Sequence, residues 1–321
     1  MNLTKKTHYN PCFWTAHWND SYRQLVQRGA PAPQPRKQRV QALSVKTGRC
    51  FQTNVENVHF DKHLGLAEIT CEAAEAFARR YHPDKYERFR ADNQSADYPL
   101  LLDFENVFSG LEGSPAYGAL RTVIRREEIA SAEEKAFLAC FIVLQQLRSH
   151  AIMNASIQWQ EQLGRHKFEH LVTLKWLLSD AELLNRLVSP VAYAHWTLYV
   201  AREPSFPLCD SPVLVSPRSI MIALSPTLLL EILPEVPAGE HQWRMDDHVS
   251  RVKTDQFRRR TIGNTFREII FGNGRLLDEW QHTPEFSNRV AQIKNITSYN
   301  KLVDSRGATE LWLLNAFGNQ S

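Results

Sequence analysis

The period of apolar and polar positions changes several times along the chain, and each change marks an element. RVQALSV (39–45) and RCFQTNV (49–55) flank Lys46-Thr47-Gly48, and two short runs around a glycine-containing turn predict a β-hairpin. Residues 67–91 predict a helix interrupted at Pro83, and 99–124 a helix disturbed by Gly110, Gly113 and Pro115. The clearest signal follows. Ser131 and Glu134 have capping-box spacing, and AFLACFIVLQQLR runs on without a breaker. Its first turns are apolar on every face, which predicts a helix buried all round. A further helix is predicted over 165–188. HWTLYVA (195–201) and SIMIALS (219–225) predict strands on either side of PSFPLCDSP, and 246–271 predicts a long helix. The three prolines of GAPAPQPRKQ (29–38) exclude a regular helix or a central strand there. From 295 onward the pattern is ambiguous. The fold expected is α+β: a mostly helical core with a small antiparallel sheet, made by the hairpin near 39–55 and the strands near 195–225.

Composition narrows this picture. A chain of 321 residues with 43% hydrophobic and 23% charged positions buries a real core, as one large domain or two modest ones. Five widely spaced cysteines without a CxxC pair argue against a disulfide framework and against a zinc ribbon. Lys5 and Lys6 are not followed by an unbroken apolar stretch, and the longest apolar run, 136–144, is about half of what a membrane span needs. No membrane partner and a cytoplasmic location are expected.

The net charge of +3 is too small to imply nucleic acid, but its distribution is uneven. Between Ser21 and Val55 there are seven Arg or Lys and no Asp or Glu, including Arg36, Lys37 and Arg39. Arg258, Arg259 and Arg260 form a second run. Both are candidate polyanion surfaces, and both are also what ordinary solvated faces look like.

Candidate chemistry is scattered. Gln145 and Arg148 are three residues apart at the end of the apolar helix, so they point the same way. Arg148 needs an anionic partner there, or an escape to solvent, and a rigid Arg in a cleft could grip phosphate or carboxylate. Asp210 in FPLCDSPV sits where an Asx turn is the plain explanation, while the flanking prolines would also hold a general base or metal ligand stiffly. Glu112 lies on the glycine-broken helix. His8 and Tyr9 open the aromatic segment THYNPCFWTAHWND (7–20), which serves either proton transfer and stacking or simply the docking of a terminus. RHKFEH (165–170) has the Arg-polar-x-x-x-His spacing of HEPN ribonucleases, with Arg165 and His170 on one helical face. The His-Pro-Asp of ARRYHPDKYERF (78–89) matches J-domain co-chaperones only as a tripeptide, without a well-formed first helix ahead of it. Walker loops, GxGxxG, HExxH and GxSxG are absent from the sequence.

Taken in order, these pieces resemble the bacterial domain-of-unknown-function family 4238. The resemblance runs through His8-Tyr9-Asn10-Pro11, then VKTGRCFQTNVENVHF, FSGLEGSPAYGALRTVI around Glu112, FIVLQQLRSH with Gln145 and Arg148, WTLYVAREPSFPLCDSPV with ALSP, and DQFRRRTIGNTFREIIFG. It covers roughly residues 7–272. It departs from the family pattern at Asn10, Ser149, Cys209 and Ser211, and the HPDK segment stands as an insertion. The resemblance implies one domain over 1–272 with an insertion near 67–98, followed by a C-terminal extension over 273–321. It also implies a pocket assembled from His8, Tyr9, Glu112, Gln145, Arg148 and Asp210, with Phe13, Trp14 and Trp18 as anchors.

Two classes of function follow as expectations. The first is a hydrolase acting on nucleic acid or a nucleotide, with an effector role in phage defence. Arg148 would hold phosphate, Glu112 or Asp210 would act as base or hold a divalent metal (Mg²⁺ or Mn²⁺), and His8 would be the general acid. The second is a non-catalytic module that binds a nucleotide or a protein partner through the same pocket. A metal-independent HEPN-type ribonuclease using Arg165 and His170 is a third.

Overall fold

The structure, a computed structural model, describes residues 6–62, 64–93, 97–237 and 243–296. The ambiguous tail lies outside the described residues from 297 onward. The chain opens with β1 (Lys6–His8), the short helix α1 (Cys12–Thr15) and α2 (Asp20–Gln27). The proline-bearing stretch leads to the predicted hairpin, β2 (Arg39–Ser44) and β3 (Cys50–Asn54). Its turn needs a residue at positive φ, which Gly48 supplies at φ 73°. Next come β4 (Phe60–Lys62), β5 (Leu66–Ile69), α3 (Cys71–Tyr81), α4 (Tyr86–Asn93), β6 (Leu100–Asp103), α5 (Glu105–Glu112) and α6 (Pro115–Arg126).

Helix α7 (Ala132–Arg148) starts where its sequence says: Ser131 accepts the Glu134 amide at 3.1 Å, while Glu134 accepts from the Ala130 amide at 2.8 Å. It is buried all round only from Phe141 onward; its first turns, expected to be buried on every face, lie along the edge of the core with Ala136 exposed and Phe137 and Cys140 half-buried. α8 (His150–Gln162) follows, bent by 50° from α7. No single helix among the described residues is long and apolar enough to cross a membrane.

Where one helix is expected over 165–188 there are two, α9 (Lys167–Ser179) and α10 (Ala181–Ala192). Asp180 caps the second by accepting from the Glu182 and Leu183 amides, which ends the first. The remaining elements are β7 (Ala194–Val200), β8 (Leu208–Cys209), β9 (Leu214–Val215), β10 (Ile220–Ser225), β11 (Leu228–Pro237), β12 (Trp243–Asp246), α11 (Arg251–Asn264), β13 (Glu268–Phe271), α12 (Gly274–Gln281) and α13 (Pro284–Lys294).

The class is α+β, and its sheets are mostly antiparallel. The hairpin and the later strands belong to different sheets, however. One has the order β3-β2-β13-β8, the other β12-β7-β11-β10-β9, with β12 parallel to β7. Two-stranded pairs β1-β4 and β5-β6 complete the set. The predicted 246–271 helix is shorter than expected because Glu268–Phe271 pairs with β2 as a strand. Likewise β5 and β6 replace the starts of the helices expected from 67 and 99, pairing Leu66 with Asp103 and Ile69 with Leu100.

A single apolar cluster joins Trp14, Phe141, Trp196, Leu230, Ile270 and Trp280. The stretch after 272 contributes Leu277, Trp280 and Phe286 to that core, so through 296 it packs with the rest of the fold. The HPDK residues form an exposed turn between α3 and α4, and a strand precedes α3.

Candidate functional site

The opening segment is held inside the molecule by polar bonds. The Trp14 indole donates to the Leu224 carbonyl at 2.7 Å, and the Trp18 indole donates to the Phe206 carbonyl at 2.9 Å. Both rings are buried because their single donor finds a partner. Asn10 donates to the Cys209 carbonyl at 2.8 Å, also contacts His59, and receives from Gln145 at 2.9 Å. These ties place β1 and the residues after it across the end of α7.

Arg148 is the last residue of α7, where the carbonyl end of a helix favours a cation. Its Nε donates to the His8 carbonyl at 2.8 Å, its Nη1 meets Glu112 at 2.7 Å, and its guanidinium lies 4.5 Å from the Phe108 ring centroid. Only 1% of it is exposed, against 28% of the Glu112 side chain. The pair is therefore a buried cation with a carboxylate at its open side.

Glu105 completes this group. It lies seven residues before Glu112 on α5, two turns or about 10 Å along one helical face. Burial raises its carboxyl most, Arg148 pulls it back and the Glu112 charge raises it again, which leaves it at about 7. One of its oxygens, Oε2, is buried without a hydrogen-bond partner. The sequence reading misses Glu105, although the i, i+7 spacing with Glu112 was there to find. Arg36 is exposed at the rim, near enough for its charge to act on His8, Cys12 and Glu105.

The other side of β1 carries a second polar group. The Tyr9 hydroxyl donates to Asp61, which also pairs with Arg267 and lies 3.5 Å from His150. Asn154 donates to the Tyr9 oxygen at 3.2 Å, and Arg267 reaches Glu268 at 3.6 Å. Asp210 accepts the Phe266 amide at 3.1 Å and is fully buried. Asp61, His150, Arg267 and Glu268 carry no motif. Their meeting depends on sheet pairings between residues some two hundred positions apart.

Five of the predicted six, His8, Tyr9, Glu112, Gln145 and Arg148, are joined by hydrogen bonds around β1, while the Asp210 side chain is held by the Phe266 amide instead. Gln145 is 0% exposed and donates to the Tyr9 carbonyl and to Asn10, so it positions the backbone. Asp210 is pushed up to about 8 by burial and by Glu268, which leaves it protonated at neutral pH and unsuited there to act as a base or to hold a cation. His8 is pulled down to about 4 by burial and by Arg148, so at neutral pH it has no proton to give as a general acid. Glu112 and Asp210 are engaged with different partners, and among the described residues no group of three or more His, Cys, Asp or Glu is arranged to hold a metal ion.

The ribonuclease spacing is not realised. Gly164 takes φ 67°, and Arg165 falls in the loop before α9, near the Tyr81 and Trp159 rings. His170 is buried on α9 with Nδ1 on the Ser156 hydroxyl at 2.9 Å. The two residues therefore do not share a helical face.

The cations of the second basic run are already engaged: Arg258 pairs with Asp255 and lies 3.9 Å from Glu285, Arg259 shares Glu285 at 3.6 Å, and Arg260 donates to Ser219. Arg36, Lys37 and Arg39 are exposed.

No family model, no curated protein and no solved structure matches this chain.

Proposed function

We propose that the chain is a hydrolase of phosphate-bearing substrates, of the nucleotide or nucleic-acid class, working at the Glu105–Glu112–Arg148 group. The observation that carries this reading is the fixed, buried guanidinium of Arg148 paired with a half-open Glu112, with Glu105 on the same face of α5 and near enough to feel both charges. The exposed Arg36, near enough for its charge to act on His8 and Glu105, supports it.

The chemistry follows from the charges. An incoming phosphate competes with Glu112 for Arg148. The released Glu112 takes a proton from water as its oxygen attacks phosphorus. Glu105, held near 7, gives its proton to the leaving oxygen as the phosphorus–oxygen bond breaks. His8 supplies its carbonyl to hold Arg148 and takes no part in the proton transfers.

A non-catalytic binding module is the second reading. It is favoured by the fact that Arg148 already has its charge matched by Glu112. Purified protein assayed on mononucleotides, RNA and plasmid DNA, with and without Mn²⁺, separates the two. Hydrolysis that falls about a hundredfold or more in Glu105→Gln, while surviving in His170→Ala, is the expected result. Binding without turnover under every condition selects the second reading.

A further inference from the structure

A second recess lies on the other side of α6 and belongs to none of the groups above. It has a volume of about 270 Å³ and lies between α6 and the α1–α2 segment. Phe13, His17 and Tyr22 form its aromatic wall, Arg121 and Arg125 its basic wall, and Ala30 lies at its edge.

Each wall is built rather than incidental. Arg121 and Arg125 are one turn apart on α6, so both guanidinium groups serve the same face. Arg121 is fixed: it stacks 3.9 Å from the Phe13 centroid and donates to the Glu112 carbonyl at 3.1 Å. A guanidinium anchored in this way keeps its remaining N–H groups for an anion. His17 is 3% exposed, and its Nδ1 has no hydrogen-bond partner. Burial and Arg23 keep the ring neutral, pulling it down to about 3, so His17 adds an uncharged aromatic surface packed edge-on against Tyr22.

We infer that this recess is a binding site for a small anion bearing a planar ring, of which a nucleoside monophosphate is the representative. The anionic group is held by Arg121 and Arg125, and the ring is seated among Phe13, Tyr22 and His17. The site does not depend on the hydrolytic reading. It meets that region where Arg121 donates to the Glu112 carbonyl.

The test is calorimetric titration of the full chain with adenosine 5′-monophosphate, with adenosine alone and inorganic phosphate as separate titrants. Arg125 is exposed, so Arg125→Ala leaves the fold intact and should weaken binding by about tenfold. Ala30→Trp fills the recess from its edge and should abolish binding, whereas Glu105→Gln, whose charge does not act on Arg121, should leave it within about twofold. Adenosine should bind much more weakly than the monophosphate. The inference is overturned if the monophosphate does not bind at millimolar concentration, if adenosine binds equally well, or if Arg125→Ala and Ala30→Trp both bind as the wild type does.

Discussion

At the scale of single residues, the molecule is governed by what burial does to ionisable groups. Glu105 shows the balance: desolvation and the Glu112 charge raise it, and Arg148 lowers it. Glu112→Gln removes the repulsion and frees Arg148 to attend to Glu105. The Glu105 carboxyl should then titrate clearly below 7, as followed by carbon NMR of the side chain; an unchanged or higher titration would mean the two carboxylates do not share Arg148.

Asp210 gives a stability test with the opposite chemistry. Its carboxyl titrates near 3.8 in an unfolded chain and near 8 when folded. Between those values the folded state holds the extra proton, so this residue makes stability fall as pH rises, by about 1.4 kcal/mol per pH unit. Asp210→Asn keeps an acceptor for the Phe266 amide and should flatten that slope by one proton. Parallel denaturation curves across pH 5–7 would contradict it.

At the scale of elements, local signals were legible wherever they were self-sufficient. Ser131 and Glu134 announced the start of α7, and Gly48 announced the hairpin turn. Ser131→Ala should cost about 1 kcal/mol in chemical denaturation, and a loss under about 0.3 kcal/mol would mean tertiary packing alone fixes the helix end. Elements whose identity depends on a distant partner were not legible. Glu268–Phe271 reads as the end of a helix and becomes a strand because β2 and β8 lie on either side of it. Residues 66–69 and 100–103 become strands through each other.

The candidate site divides the same way. Arg148 and Gln145 stood out because polar side chains leave an apolar helix, and Glu112 through the resemblance. Glu105 has no such context, and Asp61, His150 and Arg267 converge only through the fold. The Arg165–His170 spacing misled because α9 starts only at Lys167, which leaves Arg165 in the loop after Gly164 while His170 sits on the helix.

At the scale of the whole molecule, one core carries many buried histidines held neutral. His8 and His170 are pulled to about 4, His17 and His59 to about 3, and His150 well below its ordinary value, with burial the first cause in each. Each is free to protonate in the unfolded chain near 6.5, so the stability they preserve is present above that pH and is lost as pH falls below it. Asp210 acts in the other direction, and the two trends together predict a stability maximum near neutral pH. Thermal melts from pH 4 to 8 should drop steeply on the acid side, below about 6.5; a flat acid side would show that these rings are not held neutral.

The central claim is that Glu105 donates a proton beside Arg148. The pH–rate profile of nucleotide hydrolysis, for the wild type and for Glu105→Gln, tests it most directly. The wild-type rate should decline as pH rises through about 7, where Glu105 loses its proton, and the much slower variant should lack that decline. A decline that persists unchanged in Glu105→Gln would place the proton donor elsewhere and contradict the account.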